Sequence, residues 1–441
     1  MKTRPSRRQF LAQAAASAAT PYLLTSSRAS AAPSANDRPR IGCIGVGSMG
    51  MGDAGDHARF GDIVAVCDVD GGHCQRARYD DRVGRGRADA YEDYRRILDR
   101  GDIDVVSIVT PDHWHVKIAV EALQAGKHVF CQKPLTLTLE ENRLIRQACQ
   151  KHSDRVFFVG TQQRSDRDRF LRAVNMVQKG LLGRVTKITA GIDGAPTGGP
   201  FQAEVPPAEL DWYMWLGQAP LVDYMKRRCH YEFRWWYEYS GGKFTDWGAH
   251  HVDIALWAMG LDKQGTGPVE IDGTDAHHPV EFKDGMPQRH DCYNTSDDFN
   301  VISRFDDGLE LHVTSRGDNG ILFEGEKGRL FVNRGRISGT PIDEQWDRDA
   351  YGDAELAELY KGKPHEGHKD NFYRCIREGG LPVSDVYSHV QTMNVCHLSA
   401  IAARLGRKIA WDPKSEQITG DDQAAAMMSR VRRPGFDIPV A

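Results

Sequence analysis

The sequence lacks the features that define two large classes of protein. Beyond its first 31 residues, no stretch approaches the roughly 20 consecutive apolar residues that a membrane-spanning helix needs, so we expect a soluble mature protein. It also lacks an excess of positive charge, since 57 Lys and Arg face 61 Asp and Glu, for a formal net charge of −4. Because nucleic-acid binding favours a basic surface, no nucleic-acid partner is expected.

The nine cysteines lack any regular spacing. The sequence therefore predicts neither a disulfide framework nor a cysteine-based zinc cluster. Cys43, Cys67 and Cys131 lie in apolar, strand-like runs, where a free cysteine acts as a small hydrophobic side chain. This pattern is typical of a protein that folds in a reducing compartment.

The N-terminus carries five basic residues and no acid within residues 1–31. Arg7 and Arg8 precede a weakly apolar, alanine-rich stretch and a small-residue cleavage motif near Ala31 or Ala32, as in a twin-arginine export signal. We therefore predict a signal peptide (1–31), a polar linker (32–38), the twin-arginine translocase as a partner and a periplasmic location. A chance basic, alanine-rich N-terminus is the alternative.

Alternating strands and helices predict a two-domain α/β protein. Residues 39–160 contain the short apolar runs "RIGCIGV", "DIVAVCDVD", "DVVSIVT" and "KHVFCQ", separated by helical patterns, which indicates a doubly wound parallel sheet. Residues 161–441 contain longer strands with partial alternation, which predict an α+β domain with a large open, mainly antiparallel sheet covered on one face by C-terminal helices. Because the other face needs covering, we expect a homodimer or homotetramer.

A glycine-rich turn follows the first predicted strand and precedes a helix, which is the arrangement of a dinucleotide-binding fingerprint. Its glycines allow a pyrophosphate to approach the backbone at a helix N-terminus. Asp68 ends the second strand, where a carboxylate accepts from a ribose hydroxyl and repels a 2′-phosphate, so NAD is favoured over NADP. The predicted cofactor contacts of this region are Gly45, Gly47, Ser48, Met49, Gly50 and Asp68.

Polar residues also follow the third and fourth strands, in "TPDHWH" (110–115) and "CQKP" (131–134). Ligands of open α/β sheets bind at the carboxyl ends of the strands. Lys133 lies between a buried strand and a proline, where it could bind or deprotonate a hydroxyl, although a solvated strand end is the alternative. The further predicted cofactor contacts are Thr110, Pro111, His113, His115, Gln132, Lys133 and Gln162.

Together with "GGKFTDWGAHHVDIA" (241–255), these motifs resemble those of the Gfo/Idh/MocA oxidoreductases over nearly the whole mature chain. The resemblance implies a Rossmann domain, an open-sheet domain and a nicotinamide-dependent reaction on a sugar or related polyol. It assigns Asp246 and His250 to the substrate site opposite Lys133, with Lys133 and His250 as the acid/base pair. Gln132 replaces the family's usual glutamate, which keeps hydrogen bonding but removes one negative neighbour, so we expect the change to favour a neutral Lys133.

Asp246, His250 and Asp253 share one face of the predicted helix. Asp246 could instead be a helix N-terminal residue favoured by the dipole, and an Asp–His metal site lacks a fixed third ligand, so no metal is predicted. The aromatic run 230–242 supplies candidate sugar-stacking rings, although a packing or oligomer contact is equally compatible. The candidate substrate contacts are Arg164, Tyr231, Arg234, Trp235, Trp236 and His251.

An exported dehydrogenase meets no pool of free NAD, so we expect the cofactor to be tightly bound and the hydride to be returned within the same protein. Two reactions satisfy this condition: a sugar oxidoreductase with a second substrate, and an NAD-dependent glycosidase that works by oxidation, elimination, hydration and reduction. A sugar- or dinucleotide-binding protein without catalysis is a third reading.

Overall fold

The computed structural model describes residues 38–340, 352–360 and 362–439. The predicted signal peptide (1–31) and the linker up to residue 37 lie outside the described residues. Among the described residues, no helix is both long and apolar enough to cross a membrane.

The N-terminal part is a Rossmann domain. Its strands are β1 (Arg40–Ile44), β2 (Asp62–Cys67), β3 (Asp89–Tyr91), β4 (Val105–Ile108), β5 (His128–Cys131) and β6 (Phe157–Val159). Its helices are α1 (Ser48–His57), α2 (Gly71–Tyr79), α3 (Arg95–Leu98), α4 (His115–Gln124) and α5 (Leu139–Lys151). All six strands are parallel, in the order β3-β2-β1-β4-β5-β6, which confirms the predicted sheet. The order reverses between β1 and β4, which opens a crevice at the carboxyl ends of these strands.

The parallel sheet is buried on both faces, as the apolar character of its strands predicts. Cys43, Cys67 and Cys131 lie in β1, β2 and β5 and are buried. All nine cysteines lie in the described residues, are buried and form no disulfide there, so they pack as small side chains of the interior.

The C-terminal part is built on a larger sheet. Its strands are β7 (Val185–Gly191), β8 (Glu270–Asp272), β9 (Ala276–His277), β12 (Asp298–Arg304), β13 (Glu310–Thr314), β14 (Gly320–Gly325), β15 (Gly328–Val332), β16 (Ile337–Gly339), β17 (Lys408–Asp412) and β18 (Gln417–Thr419), while β10 (Phe282–Lys283) and β11 (Met286–Pro287) form a separate hairpin. The order is β16-β15-β14-β7-β13-β12-β8-β17-β18, with β9 beside β12. The sheet is mixed rather than purely antiparallel, because β7 pairs parallel with β13 after a long crossover.

Helices cover one face of this sheet. The described helices are α6 (Arg172–Gln178), α7 (Trp212–Leu216), α8 (Lys243–Asp246), α9 (Gly248–Met259), α10 (Asp353–Leu359), α11 (His368–Glu378), α12 (Val386–Leu405) and α13 (Asp422–Ala426). The burial of β12 alternates from residue to residue, as expected where one face packs on helices. Helix α12 contacts both α9 and the Rossmann helix α5, so it joins the two domains behind the crevice.

The irregular segment 192–242 returns from the second domain across the Rossmann domain. The backbone of Leu210 forms an isolated bridge with Asp70, and Gly71 N donates to the carbonyl of Glu209 at 2.8 Å. This segment therefore forms the outer wall of the crevice.

Candidate active site

The glycine-rich turn is shaped for close contact. Gly45 has φ +79°, and a Cβ there would lie 2.5 Å from the carbonyl oxygen of Val109. A Cβ at Gly50 would lie 2.0 Å from the carbonyl oxygen of Gly45, because α1 packs directly on the turn. A Cβ at Gly47, in contrast, would make only an ordinary contact of 3.5 Å with the His73 ring, and Gly47 caps α1 without a side-chain hydrogen bond. The N-terminus of α1 is thus open to a phosphate group, which fits a dinucleotide.

Asp68 is fixed at the end of β2 by backbone amides. Its Oδ2 accepts from Val46 N at 2.9 Å, and its Oδ1 accepts from Asp70 N at 3.0 Å. Each carboxylate oxygen keeps a second lone pair, so Asp68 can still accept from a ribose diol beside the turn.

One cleft of about 500 Å³ runs from Asp68 to Lys133. Most predicted cofactor and substrate contacts line it: Gly45, Gly47, Ser48, Met49, Gly50, Asp68, Thr110, Pro111, Gln132, Lys133, Tyr231 and Arg234. Sequence reasoning missed several lining residues, including His73, Arg76, Tyr94, Asp112, Trp215, His230 and Phe233.

Lys133 and Asp246 form an ion pair where the two domains meet. Lys133 Nζ donates to Asp246 Oδ1 at 2.8 Å and to the Asp246 carbonyl at 3.0 Å. Burial acts to raise the pKa of Asp246, but the positive charges of Lys133 and Arg234 outweigh it and lower the pKa. Asp246 is therefore ionised at neutral pH. Asp246 thus supplies a carboxylate beside Lys133 although position 132 does not.

The side chain of Gln132 makes a structural contact within the Rossmann domain. Its Nε2 donates to Asp53 Oδ2 at 2.5 Å, and Lys369 also pairs with Asp53. The Gln132 amide thus links the end of β5 to Asp53 in α1, and Lys369 links the same aspartate to α11.

His250 lies one helical turn beyond Asp246. Its ring is 3% exposed, and Nδ1 has no hydrogen-bond partner within the described part of the chain. Burial, followed by the charge of Lys133, holds the pKa of His250 well below its ordinary value. The ring is therefore neutral at neutral pH, with Nδ1 buried.

Asp112 is a buried acid in the same cleft. Ser240 Oγ donates to its Oδ2 at 2.6 Å, and burial raises the pKa of Asp112 to about 7 although Ser240, Arg234 and Lys133 act in the opposite direction. The "TPDHWH" motif contains this residue, but the position of an aspartate after a strand does not predict how deeply its side chain is buried.

Three predicted cofactor contacts are corrected. His113 is fully buried, and its Nε2 lies 2.9 Å from the Trp215 carbonyl, so it anchors the outer wall. His115 lies between the carbonyls of Pro134 and Thr110, at 2.7 and 2.9 Å, and links the two strand-end turns from behind. Gln162 is exposed and lies outside the lining of the cleft.

Two predicted substrate contacts are polar groups of the core. Arg164 is buried and forms a two-pronged ion pair with Asp253, at 2.7 and 2.9 Å. His251 is fully buried, with Nε2 2.8 Å from Asn319 Oδ1. Both side chains serve packing in the second domain, because each has its partners there.

The aromatic run divides between core and cleft. Trp235 and Trp236 are buried in a cluster of aromatic rings, and the Arg228 guanidinium lies 3.9 Å from the Trp236 ring centroid. These two tryptophans are corrected to packing residues. Tyr231 is 64% exposed and lines the cleft, with Arg234 stacked 4.7 Å from its ring centroid.

A Rossmann cleft that ends at a Lys–Asp pair drawn from two domains defines a dinucleotide-binding two-domain fold. Residues 39–161 match the NAD-binding Rossmann domain of the Gfo/Idh/MocA oxidoreductase family. Residues 175–438 match the family's C-terminal α/β domain. The chain therefore belongs to this family, which confirms the resemblance seen in its sequence.

Named relatives include dehydrogenases and a glycosidase. Inositol 2-dehydrogenase of Salmonella typhimurium is 32% identical over 152 residues, which are 33% of this chain and 43% of that protein. Myo-inositol 2-dehydrogenase of Thermotoga maritima is 27% identical over 341 residues, covering 73% of this chain and 86% of that protein. The α-N-acetylgalactosaminidase of Shewanella oneidensis is 31% identical over 153 residues, 33% of each chain. The chain thus spans less than half of the Salmonella protein's length.

A solved structure shares the fold. The aldose-aldose oxidoreductase of Caulobacter crescentus, complexed with glycerol, superposes with a TM-score of 0.57 at 19% identity. The match covers 85% of this chain and all of that chain. At this identity the likeness concerns architecture only.

Proposed function

We propose that this protein is an exported oxidoreductase that holds NAD tightly and acts on a hydroxyl group of a carbohydrate or polyol. The observation that carries the proposal is the Lys133–Asp246 pair at one end of a dinucleotide cleft that Lys133 lines, with the buried His250 near enough for the charge of Lys133 to lower its pKa. Relatives named as inositol dehydrogenases support a polyol substrate.

The first domain would hold the cofactor. The open N-terminus of α1 fits the pyrophosphate, and Asp68 fits a ribose diol and disfavours a 2′-phosphate, which favours NAD over NADP. Bound NAD⁺ supplies a hydride acceptor for the substrate carbon.

Residues at the junction of the two domains would accept the proton that the reaction releases. Oxidation of an alcohol releases the hydroxyl proton as the hydride leaves, so a polar side chain must accept that proton. The neutral His250 can accept it at Nδ1, while Lys133 donates a hydrogen bond to the substrate oxygen. Asp246 would hold Lys133 in position and accept from a neighbouring hydroxyl.

The outer wall of the cleft supports retention of the cofactor. Segment 192–242 is clamped from outside by the C-terminal tail, where Arg433 Nε donates to the Gly217 carbonyl at 2.8 Å. The Phe436 ring lies 5.7 Å from that of Trp114, and Lys117 Nζ donates to the Asp437 carbonyl at 2.8 Å. These contacts hold the wall against the Rossmann domain, which supports retention of a dinucleotide in the cleft. Export after folding, which the twin-arginine motif predicts, needs a cofactor that stays bound.

A second candidate is an NAD-dependent glycosidase. The relative named α-N-acetylgalactosaminidase favours it. Oxidation of a ring hydroxyl to a ketone acidifies the neighbouring C–H, so a base can drive loss of the glycosidic group. Water then adds and the hydride returns to the same carbon, which leaves no net redox change.

The proposal is tested on undialysed protein purified from the periplasm. We expect bound nicotinamide by ultraviolet absorption and by mass spectrometry of the released nucleotide. Carbohydrates and polyols are then screened for a rapid absorbance change of the bound cofactor. Lys133→Ala should abolish this change, whereas Lys187→Ala, at an exposed strand position, should not. Protein that holds no nicotinamide and takes none up would refute the proposal.

Isotope exchange separates the two candidates. A glycosidase of this kind should exchange deuterium from the solvent into the carbon next to the oxidised one and release the sugar without a second substrate. A dehydrogenase or sugar–sugar oxidoreductase should show neither.

We also infer a homodimer or homotetramer, because the second face of the large sheet carries half-exposed side chains such as Ile302. Light scattering of the purified protein tests this, and a monomeric mass would exclude it.

A further inference from the structure

Three side chains with metal-ligand chemistry meet at the Asp68 end of the cleft, next to the open turn rather than at Lys133. Asp70, His73 and His230 each direct one ligand atom toward the others, and these atoms lie within 4.8 Å of one another. Asp70 Oδ2 lies 3.4 Å from His230 Nε2 and 3.8 Å from His73 Nε2. No sequence motif indicates this cluster, because His230 lies far along the chain in the aromatic run.

The spacing suits a metal ion. Zinc bonds to imidazole nitrogen and carboxylate oxygen measure about 2.0–2.1 Å, so tetrahedral ligand atoms lie about 3.3–3.4 Å apart. The Asp70–His230 separation agrees with this value, and the Asp70–His73 separation needs only a small side-chain movement.

His73 and Asp70 are held by a second set of contacts. His73 Nδ1 lies 3.5 Å from Asp68 Oδ2, which leaves Nε2 facing the cluster, as in the carboxylate–histidine–metal arrangement. Asp70 Oδ1 accepts from His73 N at 3.1 Å and caps α2, so Oδ2 remains for a ligand. The positive end of the α2 dipole opposes a cation here, but the two carboxylates of Asp68 and Asp70 offset it.

His230 reaches the cluster from the outer wall. Its backbone has φ +51°, a left-handed conformation that is unfavourable for a residue other than glycine and that persists only where the surroundings require it. Its ring centroid lies 4.8 Å from that of His73. The strained backbone thus places an imidazole from one domain against two ligands of the other.

We propose that Asp70, His73 and His230 form a site for a divalent transition metal of the zinc class, with one coordination position open. The ion would tie the outer wall to the Rossmann domain at the end of the cleft where a ribose would lie. This inference does not rest on the proposed catalytic function, because the ligands and their spacing are the same in a protein without catalysis.

The test is a titration of the purified full chain, carrying no histidine tag, with Co²⁺, whose visible absorption reports coordination. We expect one equivalent to bind and Zn²⁺ to displace it. His230→Ala and Asp70→Asn should each weaken Co²⁺ binding at least tenfold, and Asp68→Asn should weaken it about 10- to 100-fold through His73. Asn at position 70 can still cap α2, so the fold should survive.

His277→Ala is the matched control. His277 is exposed and lies 2.7 Å from Asp297 Oδ1, so it offers a His–Asp pair without a third ligand, and its loss should leave Co²⁺ affinity unchanged. The proposal is overturned if the unaltered chain binds no Co²⁺, or if His230→Ala, shown to be folded by circular dichroism, binds it as tightly as the unaltered chain.

Discussion

Two aspartates of adjoining helices make similar ion pairs that serve different ends. Asp246 ends α8 and meets Lys133 at 2.8 Å, whereas Asp253, in α9, meets Arg164 at 2.7 Å. The Asp253–Arg164 side chains are 1% and 3% exposed, and the Asp246–Lys133 side chains are 17% and 9% exposed. The sequence spacing of Asp246 and Asp253 places both on one helix face, but it does not distinguish an ion pair buried in the core from an ion pair at the candidate active site.

The difference lies in access to the cleft, because Lys133 lines it whereas Arg164 and Asp253 are almost completely buried elsewhere. Arg164 also donates to the Val383 carbonyl, and Thr392 donates to Asp253. Burial acts to raise the pKa of Asp253, but Arg164 and His389 lower it to about 2. Within the part of the chain that the structure describes, buried imidazole nitrogens without a partner lie near both pairs: His250 Nδ1 near Asp246, and the two ring nitrogens of His389 near Asp253. The position of Lys133 in the lining of the cleft therefore distinguishes the pair at the site from the pair in the core.

The largest expected effect is on stability. Arg164→Ala leaves the carboxylate of Asp253 buried without its cation, so it should lower the free energy of unfolding by about 3–5 kcal/mol. Urea unfolding followed by circular dichroism measures this loss. The double variant Arg164→Met with Asp253→Leu should recover much of it, because neither charge then remains. A loss below about 1 kcal/mol in the single variant would break the contrast between the two pairs.

Lys133→Ala should show the opposite pattern. Because Lys133 sits beside the reacting end of the cleft, its loss should slow hydride transfer to the bound cofactor by about 10²–10⁴-fold. Its partner Asp246 is within reach of water, so we expect the free energy of unfolding to fall less than in Arg164→Ala. Stopped-flow absorbance with an active carbohydrate measures the rate. If Lys133→Ala lowers the free energy of unfolding but leaves the rate of hydride transfer unchanged, the role of Lys133 is structural rather than catalytic.

Asp112 allows the pH dependence of the site region to be tested. Its pKa in the folded protein is raised to about 7 by burial, whereas an unfolded aspartate titrates near 3.9. The folded state thus binds the proton more tightly, and stability from this group falls as the pH rises from about 4 to 7. Asp112→Asn, which can still accept from Ser240, should remove this decline.

We therefore expect Asp112→Asn to gain roughly 2–4 kcal/mol relative to the unaltered chain between pH 4.5 and 8. Urea unfolding at both pH values measures the difference. Ser240→Ala serves as the companion variant, since removing a hydrogen bond that favours the ionised form should steepen the decline. Parallel pH profiles for Asp112→Asn and the unaltered chain would contradict this assignment.

Sequence patterns predicted the local features of the fold and only part of the site. The glycine turn, Asp68 and Lys133 could be placed because each follows a strand whose position in a parallel sheet is fixed by alternation. Trp236 was misplaced because its burial depends on segment 192–242 folding back across the molecule, and Arg164 because its partners Asp253 and Val383 lie far along the chain, which no periodicity encodes. His230 and Asp112 were missed for the same reason, since their neighbours come from distant parts of the chain.

The smallest expected effect concerns a single hydrogen bond of the core pair. Thr392 Oγ1 donates to Asp253 Oδ1 at 3.2 Å, and Thr392→Val keeps the shape while removing the donor. Asp253 retains both contacts to Arg164, so the loss should be about 1 kcal/mol, visible as a small shift of the urea midpoint. Thr392→Ser keeps the hydroxyl and should lose less. If Thr392→Val instead lowered the free energy of unfolding as much as Arg164→Ala, the stability of this pair would depend on its hydrogen-bond network more than on its charges. The contrast with the Lys133–Asp246 pair would then need a different explanation.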